Sequence, residues 1–200
     1  MNNQSVWDHH YQRERSRQLY PDENVVRALK KNFTLQTPGA ALDLGCGSGR
    51  HLPLLTEHFS RVYACDFSHE SLKQSRGARV ACVQSALPAL PFASEIFDFI
   101  LCWGVLHYLN PAELEPAIAA IRAVLRPSGA VFLTLRADSD THLQRQLSRG
   151  DLAGGHAQLC GKTEAIGLFR EFSAVKYGYI ARQPVGEEGL VAHHMLYATR

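Results

Sequence analysis

Asp43-Leu44-Gly45-Cys46-Gly47-Ser48-Gly49-Arg50 is the stretch of this 200-residue chain whose residue types and spacing point most directly to chemistry. It reads as a buried strand ending in an acid, a turn too crowded for side chains, then the first turn of a helix. Glycine suits positions where φ turns positive or where a ligand must lie against bare backbone. A helix N-terminus presents unpaired N–H groups and positive partial charge, a setting for a carboxylate or phosphate. The spacing is Gly-x-Gly-x-Gly, with Arg50 where a dinucleotide fingerprint would still be running toward its last glycine. A glycine-rich turn alone is weak evidence, but here an acid precedes it and a second acid, Asp66, ends the next strand.

Further candidates follow two later strands. Cys102-Trp103-Gly104-Val105-Leu106-His107-Tyr108 and Leu135-Arg136-Ala137-Asp138 both emerge at the C-terminal edge of a parallel sheet, where open α/β folds bind ligands. His107 is either a general base or an anchor for its loop. Arg136 either holds an anionic acceptor or pairs with Asp138. His193 and His194 fall in a strand and so point to opposite faces, one toward a pocket and the other exposed. His156 lies in a Gly-rich loop, as a lid residue or as ordinary surface. None of these histidines has the spacing of a paired metal-ligand motif, so no metal is expected.

The elements that must position these residues alternate between strand-like and helix-like, which predicts a parallel sheet covered on both faces. A helix is expected over 22–32, capped by Asp22 with Val25, Val26, Leu29 and Phe33 on one side. Strand one at 40–45 precedes a helix at 49–58. Strand two, Arg61–Asp66, leads to a short helix that Ser68 can cap. Strand three covers 79–84, and strand four, Phe97–Cys102, is nearly continuous apolar sequence, as a central parallel strand requires. Asn110-Pro111-Ala112-Glu113 reads as a capping box with Pro at the first helical position, although Pro116 is awkward for the turns that follow. Arg126-Pro127-Ser128-Gly129 ends that helix and Ala130–Leu135 is strand five. A polar loop at 137–160, a helix at 162–170 and two closing strands at 172–181 and 190–199 complete the chain, the last pair as an antiparallel hairpin.

Composition sets bounds. With 46% hydrophobic residues, the chain suits one globular domain over 1–200. No apolar run approaches about 18 residues, so no membrane partner is expected. The first residues lack a charged-then-apolar leader. Five cysteines without a C-x-x-C pair argue against a disulfide framework and for a reducing, cytoplasmic setting. A net charge of +2 falls short of a nucleic-acid signature, and Arg13, Arg15 and Arg17 alternate with Glu14 and polar residues.

The motifs together resemble the class I S-adenosylmethionine-dependent methyltransferases. Asp43-Leu44-Gly45-Cys46-Gly47-Ser48-Gly49 is similar to the family's first motif and Asp66-Phe67-Ser68 to its acidic second element. Leu90-Pro91-Phe92 with Phe97-Asp98-Phe99-Ile100 is similar to the segment between its third and fourth strands. Leu125-Arg126-Pro127-Ser128-Gly129 resembles the turn into its fifth strand, with Ser128 where glycine is commoner. The resemblance runs over residues 22–136 and implies a Rossmann-like α/β fold with sheet order 3-2-1-4-5-7-6 and an antiparallel seventh strand.

It also implies S-adenosyl-L-methionine as cofactor, with Tyr11, Asp43, Gly45, Cys46, Gly47, Gly49, Arg50, Asp66, Phe67, Ser85, Ala86, Leu87 and Cys102 around it. Asp43 would orient the turn and the ammonium group, Asp66 would accept from the ribose hydroxyls, and Phe67 would stack on adenine. Relatives often carry Gly-Asp before the Leu-Pro-Phe element. Here the segment is Gln84-Ser85-Ala86-Leu87, leaving Ser85 or the Ala86–Leu87 backbone to meet the adenine. Trp7-Asp8-x-x-Tyr11 and Arg50 look like small-substrate members, among them tellurite-resistance methyltransferases, in which such residues close over the methionine carboxylate. Residues 1–20 are therefore expected to form a lid, and 137–160 an acceptor-side loop.

A small-molecule acceptor is expected, with His107 and Arg136 beside it. Amino-group DNA methylation uses a Pro-Pro-aromatic turn after strand four, which Cys102-Trp103-Gly104-Val105 does not supply, so no nucleic-acid partner is expected. Two alternatives stand: a non-catalytic S-adenosylmethionine-binding module, and an NAD-binding oxidoreductase, against which the glycine phasing counts. Neither the attacked atom nor the oligomeric state is encoded in these motifs.

Overall fold

The computed structural model describes residues 3–75, 79–150, 152, 153 and 155–200. Met1 and Asn2 of the expected lid, Asp151 and Gly154 of the expected acceptor-side loop, and the side chains of Asn3, Arg15 and Arg149 lie outside the described residues. In chain order the elements are α1 (Asn3–Tyr11), α2 (Glu23–Asn32), β1 (Thr37–Leu44), α3 (Leu52–His58), β2 (Phe59–Asp66), α4 (His69–Gln74), β3 (Val80–Gln84), β4 (Phe97–Cys102), α5 (Pro111–Val124), β5 (Leu125–Arg136), α6 (His142–Arg149), α7 (Lys162–Gly167), β6 (Ala174–Arg182) and β7 (Val191–Thr199).

The strands form one seven-stranded sheet in the order β3-β2-β1-β4-β5-β7-β6. The first five run parallel, and β7 is antiparallel to both β5 and β6. Alternation along the central strands divides the core. On one face Leu42, Leu44, Ile100 and Cys102 pack with Leu114, Ile118 and Ile121 of α5. On the other, Ala41, Phe99 and Leu101 meet Val25 and Leu29 of α2 and Leu52 and Leu55 of α3.

Local sequence explains most boundaries. The Asp22 side chain accepts from Asn24 N to cap α2, and Ser68 caps α4 through Ser71 N. Asn110 and Glu113 form the capping box of α5, which runs through Pro116 without interruption. The first motif differs from expectation: the glycine turn is not the opening of a helix. Gly49 has φ +79°, and α3 starts only at Leu52, with Pro53 in its first turn where the missing N–H costs nothing.

The segment expected to be a polar loop, 137–160, contains α6. Its buried Leu143 joins Val6 of α1 and Leu152 in a small apolar cluster with Trp7, Tyr108 and Leu147 alongside. The N-terminal segment and the acceptor-side segment thus share one core above the C-terminal edge of the sheet. Leu19 and Tyr20 stay outside it and are exposed, so Tyr20 does not pack as an aromatic lid residue. All five cysteines are free; four are buried and Cys82 on β3 is exposed.

Candidate active site

At the C-terminal edge of β1, β2 and β4 two cavities meet. The larger, about 560 Å³, is lined by Gly45, Asp66, Phe67, Ala86, Leu87 and Val105, with Gln4, His156 and Asn110 at its rim. The smaller, about 220 Å³, is lined by Cys46, Gly47, Arg50, Trp103, His107 and Arg136, and reaches β6 and β7 at Arg182 and His193. Trp7, Tyr11, Tyr108, Gly45 and Gly104 belong to both walls and so mark the passage between them. Trp7 stacks on Tyr11 at 5.7 Å and meets Tyr108 edge-on at 4.9 Å, so three rings from two distant segments form the partition.

The glycine turn is held from β2. Asp66 Oδ2 accepts from Gly47 N at 2.9 Å and Oδ1 accepts from Ser68 N at 2.9 Å. Asp66 still lines the larger cavity. Its burial raises its pKa, against the backbone donors that lower it. The space over two of the glycines is taken by the protein's own side chains. A Cβ on Gly45 would fall 2.2 Å from Val105 Cγ2, and one on Gly47 would fall 2.5 Å from the Tyr11 hydroxyl. Both glycines have positive φ.

Helix α1 is fastened over this turn. Asp8 Oδ1 accepts from Ser68 Oγ at 2.6 Å, the Tyr11 carbonyl accepts from Gln74 Nε2 at 2.5 Å, and Ser48 Oγ exchanges hydrogen bonds with the backbone of Gln18. Tyr11 is consequently desolvated, and burial followed by the nearby Asp66 raises its phenol pKa.

Beneath the turn, Asp43 is almost fully buried and its Oδ2 has no hydrogen-bond partner among the described residues. Burial pushes its pKa up to about 7, with Arg50 pulling it down and Asp66 pushing it up. An orphaned buried carboxylate oxygen is costly unless a donor or cation meets it. Arg50 lines the smaller cavity and has no ion pair among the described residues, although Asp22 and Asp43 both attract it.

The remaining expected site residues divide. Ala86 and Leu87 line the larger cavity, whereas the Ser85 hydroxyl donates to the Ala89 carbonyl at 2.5 Å and lies outside both walls. Cys102 is fully buried in β4 and Gly49 packs against Leu52 and Ser75, neither lining either cavity. Cys46 reaches the smaller cavity, and burial raises its thiol pKa. His107 is buried with Nδ1 unpartnered among the described residues, and desolvation, then Arg136 and His193, hold its pKa well below the ordinary value.

Two expectations are corrected. Arg136 pairs with Asp140 at 2.5 Å, not with Asp138, because Asp140 is fully buried and also accepts from Leu143 N and Ala192 N. His194 is buried rather than exposed, since the strip containing Cys160 covers it: Nε2 meets the Cys160 carbonyl and Nδ1 meets the Tyr177 hydroxyl, each at 3.0 Å. Sequence reasoning missed Asp22, His51 and Arg182 as lining residues. Arg182 could have been found as the last residue of the β6 strand, facing the same edge as Arg136.

Residues 42–133, from β1 into β5, match the family described as "Methyltransferase domain". Over this segment, a little under half of its length, the chain is similar to the class I S-adenosylmethionine-dependent methyltransferases. It is 34% identical over 114 residues to the malonyl-[acyl-carrier protein] O-methyltransferase of Salmonella typhimurium, a match covering 56% of this chain and 45% of that protein. The corresponding protein of Herminiimonas arsenicoxydans is 30% identical over 50% of this chain and 38% of its own length. The chain thus spans about half or less of these relatives. In fold it is similar to the N-methyltransferase NodS from Bradyrhizobium japonicum in complex with S-adenosylhomocysteine, with TM-score 0.73, 16% identity, and coverage of 100% of this chain and 99% of that one.

The family's methyl donor is S-adenosylmethionine, and the residues present fit it. Arg50, without an ion pair among the described residues, matches a carboxylate; the Asp43 oxygen that lacks a partner among them matches an ammonium, although Asp43 lies beneath the turn and lines neither cavity; and Asp66 with Phe67 offers an acceptor and a ring in the larger cavity. The tellurite-resistance kinship finds no specific support in these comparisons.

Proposed function

We propose that this protein transfers the methyl group of S-adenosylmethionine to a small-molecule acceptor. The observation that carries the reading is the meeting of the 560 Å³ cavity with a second one of only 220 Å³ across a partition of Trp7, Tyr11 and Tyr108. The first is the proposed seat of the nucleoside, held by Asp66, Phe67, Ala86 and Leu87. Asp43 and Arg50 are the proposed holders of its amino-acid end, under Tyr11. The bound cofactor supplies an already activated methyl group, so the protein's work is alignment, desolvation and, where needed, proton removal.

Each chain residue then has a task. The aromatic partition and the α1–α6 cluster shield the transfer point from water. His107, kept neutral by burial, serves as a hydrogen-bond acceptor that turns a proton-bearing acceptor atom toward the donor. Its lowered pKa makes it an orienting group more than a strong base. The relatives' names specify a protein-bound malonyl group in some cases and tRNA in others, so they do not choose an acceptor for this chain.

The test is incubation of the purified protein with methyl-labelled S-adenosylmethionine and a metabolite extract. The expected result is label in a low-mass product with one S-adenosylhomocysteine formed per methyl. Cofactor binding without any labelled product would instead favour a non-catalytic binding module.

A further inference from the structure

The smaller cavity has an unbalanced charge. Three guanidinium groups line it, Arg50, Arg136 and Arg182, against one carboxylate, Asp22. Asp22 is already engaged as the cap of α2 and faces Arg50. Arg136 keeps its pair with Asp140 beneath the wall and a hydrogen bond with Tyr108, yet its Nε is buried without a partner among the described residues. Arg182 has no ion pair among the described residues.

Sheet register gathers these groups. Arg136 on β5 lies opposite His193 on β7, which in turn lies opposite Ile180 on β6, while Arg182 lies opposite Val191. Val191 and His193 are two apart and share a face of the sheet. Arg136, His193, Arg182 and Val191 therefore converge on the same end of the cavity, away from the glycine turn. His193 feels burial first, then Arg136, and its pKa falls to about 4 despite the attraction of Asp140 and Asp22; Arg182 lowers it further. His107 lies 6.2 Å away, ring to ring, and is neutral as well. Three guanidinium groups brought together in a partly closed space, with Arg182 lacking a carboxylate partner among the described residues, favour binding of an anion.

Resting on the reading of Arg50 as the holder of the cofactor's own carboxylate, we propose that the acceptor is a small anion, its carboxylate or similar oxyanion gripped by Arg136 and Arg182 beside His193. The anion anchors the acceptor at the β5–β7–β6 edge and directs its other end toward the partition. A cavity of 220 Å³ limits it to a compact molecule.

The test uses propionate and propionamide, which have the same shape and differ in charge. Both are titrated at fixed ionic strength into the protein saturated with S-adenosylhomocysteine, and into the free protein. Propionate is expected to bind about tenfold or more tightly than propionamide, the scale of a hydrogen bond to a charged group. Arg182→Gln, at an exposed strand end, should bring the two within about threefold while S-adenosylhomocysteine affinity stays unchanged. Bound propionate should also raise the titration midpoint of His193 seen by NMR, an effect absent with propionamide. Equal binding of the two probes, or an Arg182→Gln variant that discriminates as well as its parent, overturns the proposal. Failure of S-adenosylhomocysteine to bind overturns the cofactor reading instead, and the free-protein titration then still decides the anion site.

Discussion

The hydroxyl of Tyr11 lies over Gly47, so close that a Cβ on that glycine would stand 2.5 Å from it. This contact joins the first helix of the chain to the first motif of the fold. Gly47 also has φ +54°, where a side chain costs roughly 1–2 kcal/mol. Gly47→Ala is therefore expected to destabilise the protein by at least about that amount and to lift α1 from the turn. Amide hydrogen exchange should report it, with faster exchange at Asp8–Tyr11 than in the parent. Unchanged exchange there would mean that Tyr11 is not seated on the glycine.

Asp43 gives a pH dependence whose sign can be worked out. Its folded pKa is about 7, above the ordinary aspartate value of 3.8. Between these values the folded state holds a proton that the unfolded state has lost, so stability falls as pH rises from about 4 to about 7 and is flat beyond. Asp43→Asn should remove that fall and be more stable than the parent at pH 8 by thermal melting. In the proposed site an ammonium group favours the charged carboxylate, so S-adenosylhomocysteine binding at pH 6 should release protons. Calorimetry in two buffers of different ionisation enthalpy measures this directly, and no release is expected from Asp43→Asn.

Ser128 occupies a left-handed position, φ +65°, within β5 where its register against β4 shifts, at a position where the family more often has glycine. The serine Cβ is strained there, while glycine is not. Ser128→Gly should raise the denaturant midpoint, with a gain of about 0.5–1 kcal/mol after the extra entropy of the unfolded chain. The next residue is already glycine and cannot carry a side chain, because a Cβ on Gly129 would lie 2.9 Å from the Arg126 carbonyl.

The central half of the fold was legible because its signals are local. Phe97–Cys102 is apolar throughout, Asn110 and Glu113 cap within one turn, and Asp22 and Ser68 cap as their types suggest. What escaped depends on distant partners. Helix α6, His142–Arg149, is polar apart from Leu143 and Leu147, and it is positioned by Asp140 and by α1. His194 is buried only because the chain near Cys160 crosses over β7. Cys46, Gly47, Arg50, Asp66, Phe67, Ala86 and Leu87 converge on the two cavities, but the arginine-rich far wall was half hidden, since only the β6–β7 pairing brings Arg182 to it.

Asp140 tests that far wall. Its two oxygens serve Leu143 N, Ala192 N and Arg136 from a fully buried position. Asp140→Ala leaves Arg136 without its counter-charge and should cost about 3–5 kcal/mol in denaturant unfolding. Asp140→Asn, keeping the shape and one acceptor, should cost clearly less.

The most direct test of the account is a calorimetric titration of S-adenosylhomocysteine and, separately, NAD into the purified protein and into Asp66→Asn. One S-adenosylhomocysteine is expected to bind, with no comparable binding of NAD. The substitution should weaken the complex by about 1.5–3 kcal/mol, the worth of hydrogen bonds to a charged acceptor. Comparable affinity for NAD, absence of S-adenosylhomocysteine binding, or an Asp66→Asn variant that binds as tightly as the parent would contradict the cofactor site on which everything else is built.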